Sequence, residues 1–206
     1  MIVIKDDFYP NPDEIREAAL KQFFITGKRE KKALHPGMRT LSTFSRDNFV
    51  FCKNQWSKML GRNIVYFPPK NSNTAFNLGL EGHGDTNWVH HDCSGYLEDT
   101  SKMMEGEAYA AVVYLTPDAD CRFGTALFKS NISGKIQKDE QHNRGEFAFK
   151  QFWEAEKDFN LHTFVGNIYN RCILYPAKNW HAPFNAGFGH DKQTGRLVQL
   201  GFFTVQ

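Results

Sequence analysis

Apolar and polar positions follow two rhythms along this chain: helical spacing dominates the first sixty residues, and short strand-length runs dominate the remainder. Ile2-Val3-Ile4 reads as an edge strand. A helix then starts where Asn11 can cap, Pro12 loses nothing by lacking an N–H, and Glu14 can reach back to the cap. Ile15, Ala18, Ala19, Gln22 and Phe23 continue the spacing, and Gly27 is a natural stop. Lys28 to Lys32 reads as a solvated loop and His35-Pro36-Gly37 as a turn. Val50, Phe51, Trp56, Met59 and Leu60 then predict a second helix from Phe49 to Leu60, closed by Gly61.

From Asn63 onward short apolar runs bounded by Pro, Asn, Ser and Gly predict successive strands at Ile64 to Phe67 and Ala75 to Leu80. Ala108 to Thr116, ended by Pro117, is apolar enough to be buried on both faces. Arg122 to Phe128 reads as another strand. Residues 129 to 160 interrupt the pattern as an insertion or lid, with an amphipathic helix expected over 146 to 159 (Phe147, Phe149, Phe152, Trp153, Ala155, Phe159). Strands resume at Arg171 to Tyr175 and Trp180 to Pro183, and after a loop containing Gly187, Gly189 and Gly195 at Arg196 to Val205. The fold class is mainly β with N-terminal helices: a sandwich or jelly roll over 63–206 behind a helical support over 1–62, forming one domain over 1–206.

At 206 residues the chain can bury roughly 70% of its unfolded surface. Twenty-five Lys and Arg against 23 Asp and Glu give a formal charge of +2, so neither nucleic acid nor a membrane surface is called for as partner. Cys52, Cys93, Cys121 and Cys172 form no C-x-x-C pair, which argues against a zinc site or disulfide scaffold and for a reducing cytoplasm. The N-terminus lacks a signal-peptide pattern, and no run approaches 18 apolar residues. A soluble, cytoplasmic protein is expected.

Trp88-Val89-His90-His91-Asp92 holds the first chemistry. On a strand, residues i and i+2 share a face, so His90 and Asp92 can converge on one cation while His91 points away. Two histidines and a carboxylate on one octahedral face leave positions open on Fe(II). His83-Gly84-Asp85 has the same spacing, but its glycines suggest a loop, where the same-face argument fails. His35, His142, His162 and His190 read as surface or loop residues. Arg39, Trp88, Trp180 and Phe184 are candidates for a pocket lining. Further on, His181 and Arg196 flank the Gly-rich loop, and antiparallel neighbours joined by it would bring them together. Arg196 could then anchor the carboxylate of an organic acid.

H-x-D, a buried strand ending Tyr114-Leu115-Thr116, a Gly124-Thr125-x-x-Phe128 strand, and a distal His followed by Arg together resemble the 2-oxoglutarate and Fe(II)-dependent oxygenases. Asp7-Phe8-Tyr9-Pro10-Asn11-Pro12 before a helix is similar to the start of their prolyl 4-hydroxylase-like branch. The resemblance implies a double-stranded β-helix, Fe(II) ligands at His90, Asp92 and His181, and Arg196 as partner of the distal carboxylate of 2-oxoglutarate. Tyr114 matches a tyrosine that in some members bonds the same carboxylate; a core tyrosine is the alternative. Thr125 departs from a second glycine common among relatives. Dioxygen and 2-oxoglutarate would be consumed, succinate and carbon dioxide released, and a small-molecule or peptide substrate hydroxylated; the carboxylate Asp92 favours hydroxylation over halogenation. The alternatives are a cupin-like binding module without oxygen chemistry and a metal-dependent hydrolase or isomerase.

Overall fold

The structure, a computed structural model, describes residues 1–29, 32–41, 45–67, 73–82, 89–92, 106–138, 158–184 and 187–206, with backbone alone at 26–29 and 32–36. Two helices form for local reasons. In α1 (Pro12–Leu20) Pro12 opens the first turn with Asp13 and Glu14, although the Asn11 side chain makes no cap hydrogen bond. In α2 (Arg46–Leu60) the Ser45 hydroxyl accepts from the Asn48 N–H at 3.0 Å, and Gly61 closes the helix in the left-handed region at φ 64°. The helix therefore starts three residues earlier than its apolar spacing suggests.

The first helix stops at Leu20, well short of Gly27. Gly27 lies instead in β2 (Ile25–Arg29), which pairs with β3 (Lys32–Arg39) where a loop and a turn were expected. The cause is a distant partner. Met38 and Arg39 of β3 pair with Leu78 and Asn77 of β5 (Phe76–Gly79), which no local propensity records. The N-terminal 62 residues thus supply strands as well as helices, including β1 (Val3–Lys5) at the sheet edge.

The remaining strands are β4 (Ile64–Tyr66), β6 (Glu107–Tyr114), β7 (Thr125–Ser130), β8 (Phe159–Val165), β9 (Cys172–Pro176), β10 (His181–Pro183) and β11 (Arg196–Val205). The larger sheet runs β1-β9-β6-β11-β5-β3-β2, with β4 also on β11; the smaller runs β10-β7-β8. All pairings are antiparallel. The expected helix over 146–159 falls outside the described residues up to 157, and Phe159 begins β8, a further strand that the sequence pattern does not predict. β7 and β8 pair from Thr125–Val165 to Ser130–Phe159.

Three layers result. Tyr109, Ala111 and Val113 of β6 join Leu174, Leu197 and Phe203 against Trp56 and Leu60 of α2. Ala110, Val112 and Tyr114, on the other face of the same strand, meet Leu127 and Val165 of the smaller sheet. That is why β6 is apolar at consecutive positions. Val89, Ala126, Phe128, Phe159, Trp180 and Ala182 form a third cluster on the far side of the smaller sheet. No helix among the described residues is long and apolar enough to cross a membrane.

Candidate active site

His90 and His181 form an isolated antiparallel bridge: each backbone N–H donates to the other's carbonyl, at 2.9 and 2.8 Å. Directly opposed residues share a face, so the two imidazoles lie with centroids 4.3 Å apart. Asp92 is held one step along, its N–H donating to the Ala177 carbonyl at 2.8 Å. Potential ligand atoms of His90, Asp92 and His181 all lie within 4.8 Å of one another. His91 points the other way, onto the Trp180 ring at 5.2 Å. Trp88 and the rival pair His83 and Asp85 lie outside the described residues.

The electrostatics suit a cation. Asp92 is 6% exposed; burial pushes its carboxyl up, but His181, His90 and Arg39 together hold it below the ordinary carboxylate value. His181 is buried, which pulls its pKa down, yet the Asp92 carboxylate, 3.2 Å from Nε2, raises it overall. The His181 Nδ1 lies 2.9 Å from the Asn179 carbonyl. A proton on Nδ1 donating there leaves the Nε2 lone pair facing Asp92, the tautomer a metal ligand needs.

Arg196 does not reach this triad as a hairpin neighbour of His181. β10 pairs with β7 and β11 pairs with β5 and β6, so the two residues belong to opposite sheets and face each other across the sandwich. Twelve intervening residues between Pro183 and Arg196 form a crossover, not a tight turn. Arg196 is 4% exposed, donates from Nε to the Phe123 carbonyl at 3.0 Å, and sits 5.7 Å over the Tyr114 ring. Among the described residues it has no carboxylate partner. Burial depresses its pKa, opposed by Tyr114 and Tyr175. Tyr114 donates to the Thr125 hydroxyl at 2.7 Å, so the threonine that replaces the expected second glycine fixes the phenol.

Tyr175 was missed by the sequence reading. Its ring lies 4.8 Å from that of His181, and its hydroxyl, driven up by burial and by Asp92 and Tyr114, is drawn back by Arg196. It therefore lies between the triad and the arginine. The signal was present: Tyr175 alternates with Ile173 on the inner face of a buried strand. Among the suggested pocket residues, Trp180 lies in the outer cluster with Phe184 packed against it, whereas the charge of Arg39 acts on Asp92.

No protein-family model and no curated protein matches this chain. Solved structures do, in three dimensions. A prolyl hydroxylase from Trichoplax adhaerens, in complex with a peptide fragment of the hypoxia inducible factor oxygen degradation domain, superposes with a TM-score of 0.59 at 11% identity, covering 98% of this chain and 83% of that one. The fold is that of the 2-oxoglutarate-dependent oxygenases. It is a double-stranded β-helix. The epimerase SnoN, in complex with Fe3+, alpha ketoglutarate and nogalamycin RO, gives 0.59 at 14% identity over 98% and 78% of the two chains. HygX from Streptomyces hygroscopicus, with nickel, 2-oxoglutarate and hygromycin B bound, gives 0.54 at 10% over 98% and 82%.

Proposed function

We propose that this chain is a 2-oxoglutarate and Fe(II)-dependent dioxygenase that hydroxylates an unactivated C–H bond of a small-molecule or peptide substrate. The observation that carries this reading is the convergence of His90, Asp92 and His181 across the sandwich from a buried Arg196 without a carboxylate partner among the described residues. Two imidazoles and one carboxylate are the donors that suit Fe(II) while leaving positions open. An uncompensated buried guanidinium is costly, and a bound acid removes that cost. Bound iron, with dioxygen and 2-oxoglutarate, supplies the oxidising chemistry and the release of succinate and carbon dioxide.

The chain's own part is to hold and to exclude. His90, Asp92 and His181 would hold the metal, with the Asn179 carbonyl fixing the His181 ring. Arg196 takes the distal carboxylate of 2-oxoglutarate as a bidentate donor. Tyr114, positioned by Thr125, packs beside it. The apolar inner layer of Val112, Leu127, Val165 and Val198 keeps water from the reacting centre. A reducing cytoplasm fits the free thiols of Cys52, Cys121 and Cys172.

The SnoN structure is described as an epimerase and the SnoK structure as a carbocyclase, so the same fold supports outcomes other than oxygen insertion. Product mass separates these from hydroxylation by the gain of one oxygen. Anaerobic Fe(II) protein should develop a weak visible charge-transfer band with 2-oxoglutarate, and Asp92→Ala and His181→Ala should lose it. If no band forms and no succinate accumulates with any substrate panel, the reading is wrong and a binding module of the same fold replaces it.

A further inference from the structure

Tyr114 and Tyr175 both reach the inner layer, packed with Val112, Leu127 and Val198. Tyr114 has a partner for its hydroxyl, donating to Thr125 at 2.7 Å. Tyr175 is 3% exposed, and among the described residues its hydroxyl makes no hydrogen bond. Buried hydroxyls are as a rule paired, with protein, water or a ligand.

The backbone fixes where that phenol stands. β9 ends at Pro176, the Ala177 carbonyl next along accepts the Asp92 N–H at 2.8 Å, the Asn179 N–H turns back onto the Pro176 carbonyl at 2.9 Å, and His181 follows. The Tyr175 ring accordingly lies against the His181 ring, centroids 4.8 Å apart and planes tilted by 55°. Register places Arg196 elsewhere. Tyr175 is opposite Ala110 and Ala110 opposite Phe202, whereas Arg196 is opposite Gly79, six residues from Phe202 along β11. Tyr175 and Arg196 thus enter the interior from separate rows, Tyr175 beside a metal ligand.

2-Oxoglutarate at neutral pH carries a keto oxygen and two carboxylates, all of them acceptors, so it complements a donor that has no partner. With the distal carboxylate on Arg196, the carboxylate beside the keto group belongs at the metal, where the phenol meets His181. A neutral phenol can donate there without adding a charge to the site. Resting on the reading above, we propose that Tyr175 is a second anchor for 2-oxoglutarate, its hydroxyl donating to the carboxylate beside the keto group while Arg196 holds the distal one. The acid is then gripped at both ends by different strands, β9 and β11, and a hydrogen bond to an ionised acceptor is roughly twice as strong as a neutral one.

The test uses the full chain, anaerobic and loaded with Fe(II), as the parent, Tyr175→Phe and Arg196→Met. Each is titrated with 2-oxoglutarate and with pyruvate, which keeps the keto acid end and lacks the distal carboxylate. Tyr175→Phe removes one oxygen and keeps the ring. It should weaken 2-oxoglutarate by about tenfold or more and move the charge-transfer band to shorter wavelength, since the keto acid loses a donor that lowers its acceptor orbital. Pyruvate should be weakened by the same factor in Tyr175→Phe and bind Arg196→Met as it binds the parent. Fe(II) affinity, read by competition with a chelator before acid is added, should be unaltered in Tyr175→Phe. Parent-like affinity and band in Tyr175→Phe overturn the inference, because the hydroxyl then meets only water. A loss with 2-oxoglutarate but not pyruvate overturns it by placing the phenol at the distal end, and a loss confined to Fe(II) affinity does so by making Tyr175 a support for His181 alone. A crystal structure of the parent with a redox-inert metal and 2-oxoglutarate decides independently of every variant: a Tyr175 hydroxyl out of hydrogen-bond reach of the carboxylate at the metal overturns the inference. Absence of any band in the parent overturns instead the iron and 2-oxoglutarate reading beneath it.

Discussion

Asp92 and His91 are chain neighbours whose side chains meet opposite electrostatic environments. Asp92 turns inward and keeps its charge, because imidazoles and Arg39 outweigh the cost of burial. His91 turns outward onto Trp180 and is driven the other way, burial and then Lys138 lowering its pKa from 6.5 to about 4. The sign of the resulting pH dependence follows directly. The unfolded chain binds a proton at His91 before the folded chain does, so falling pH favours unfolding between about 6.5 and about 4 and adds nothing below. Urea titrations of the metal-free protein across that window should show stability declining with acid. His91→Gln should flatten the decline; an unchanged slope would remove His91 as its source.

At the scale of elements, the helices are fastened to the larger sheet by one buried polar cluster and one close contact. Asn48 of α2 donates to the Tyr9 hydroxyl at 2.8 Å, and the Gln199 amide of β11 donates to Asn48 Oδ1 at 2.7 Å and to the Thr74 carbonyl at 3.0 Å. Tyr9 in turn donates to Gln199. Replacing Gln199 with Leu strands partners from three segments, and a loss of about 1–3 kcal/mol is expected in chemical denaturation. Nearby, Gly201 of β11 lies under the Trp56 ring, leaving no room for a Cβ. Gly201→Ala should displace that indole and its stacking on Phe203, now at 5.4 Å, costing about 1–3 kcal/mol and altering tryptophan fluorescence.

At the scale of the whole molecule, the candidate site is shared between sheets: His181 on the smaller, Arg196 on the larger, with Tyr175 between them. A ligand touching both joins the two layers, and anything that binds only the folded state stabilises it, by about 2.7 kcal/mol at a hundred times its Kd. Thermal unfolding should therefore rise with Fe(II) or a redox-inert substitute and rise again with 2-oxoglutarate. Arg196→Met should keep the first increment and lose the second. Loss of both, or of neither, would separate Arg196 from acid binding.

The sequence alone determined what depends on neighbours along the chain. Gly61 closes α2, although the apolar spacing passes over the Ser45 cap that starts it, unbroken apolar character marks β6 as buried on both faces, and the two-residue step from His90 to Asp92 marks the pair whose ligand atoms come together. Only the tertiary structure decided what depends on partners far away. β3 exists because β5 pairs with it, and β8 because β7 does, although polar residues in both segments weaken the local signal. His181 meets His90 through a backbone bridge, and faces Arg196 across a sandwich rather than along a hairpin. Spacing gives the direction of a side chain on its own strand; register between strands decides which side chains meet.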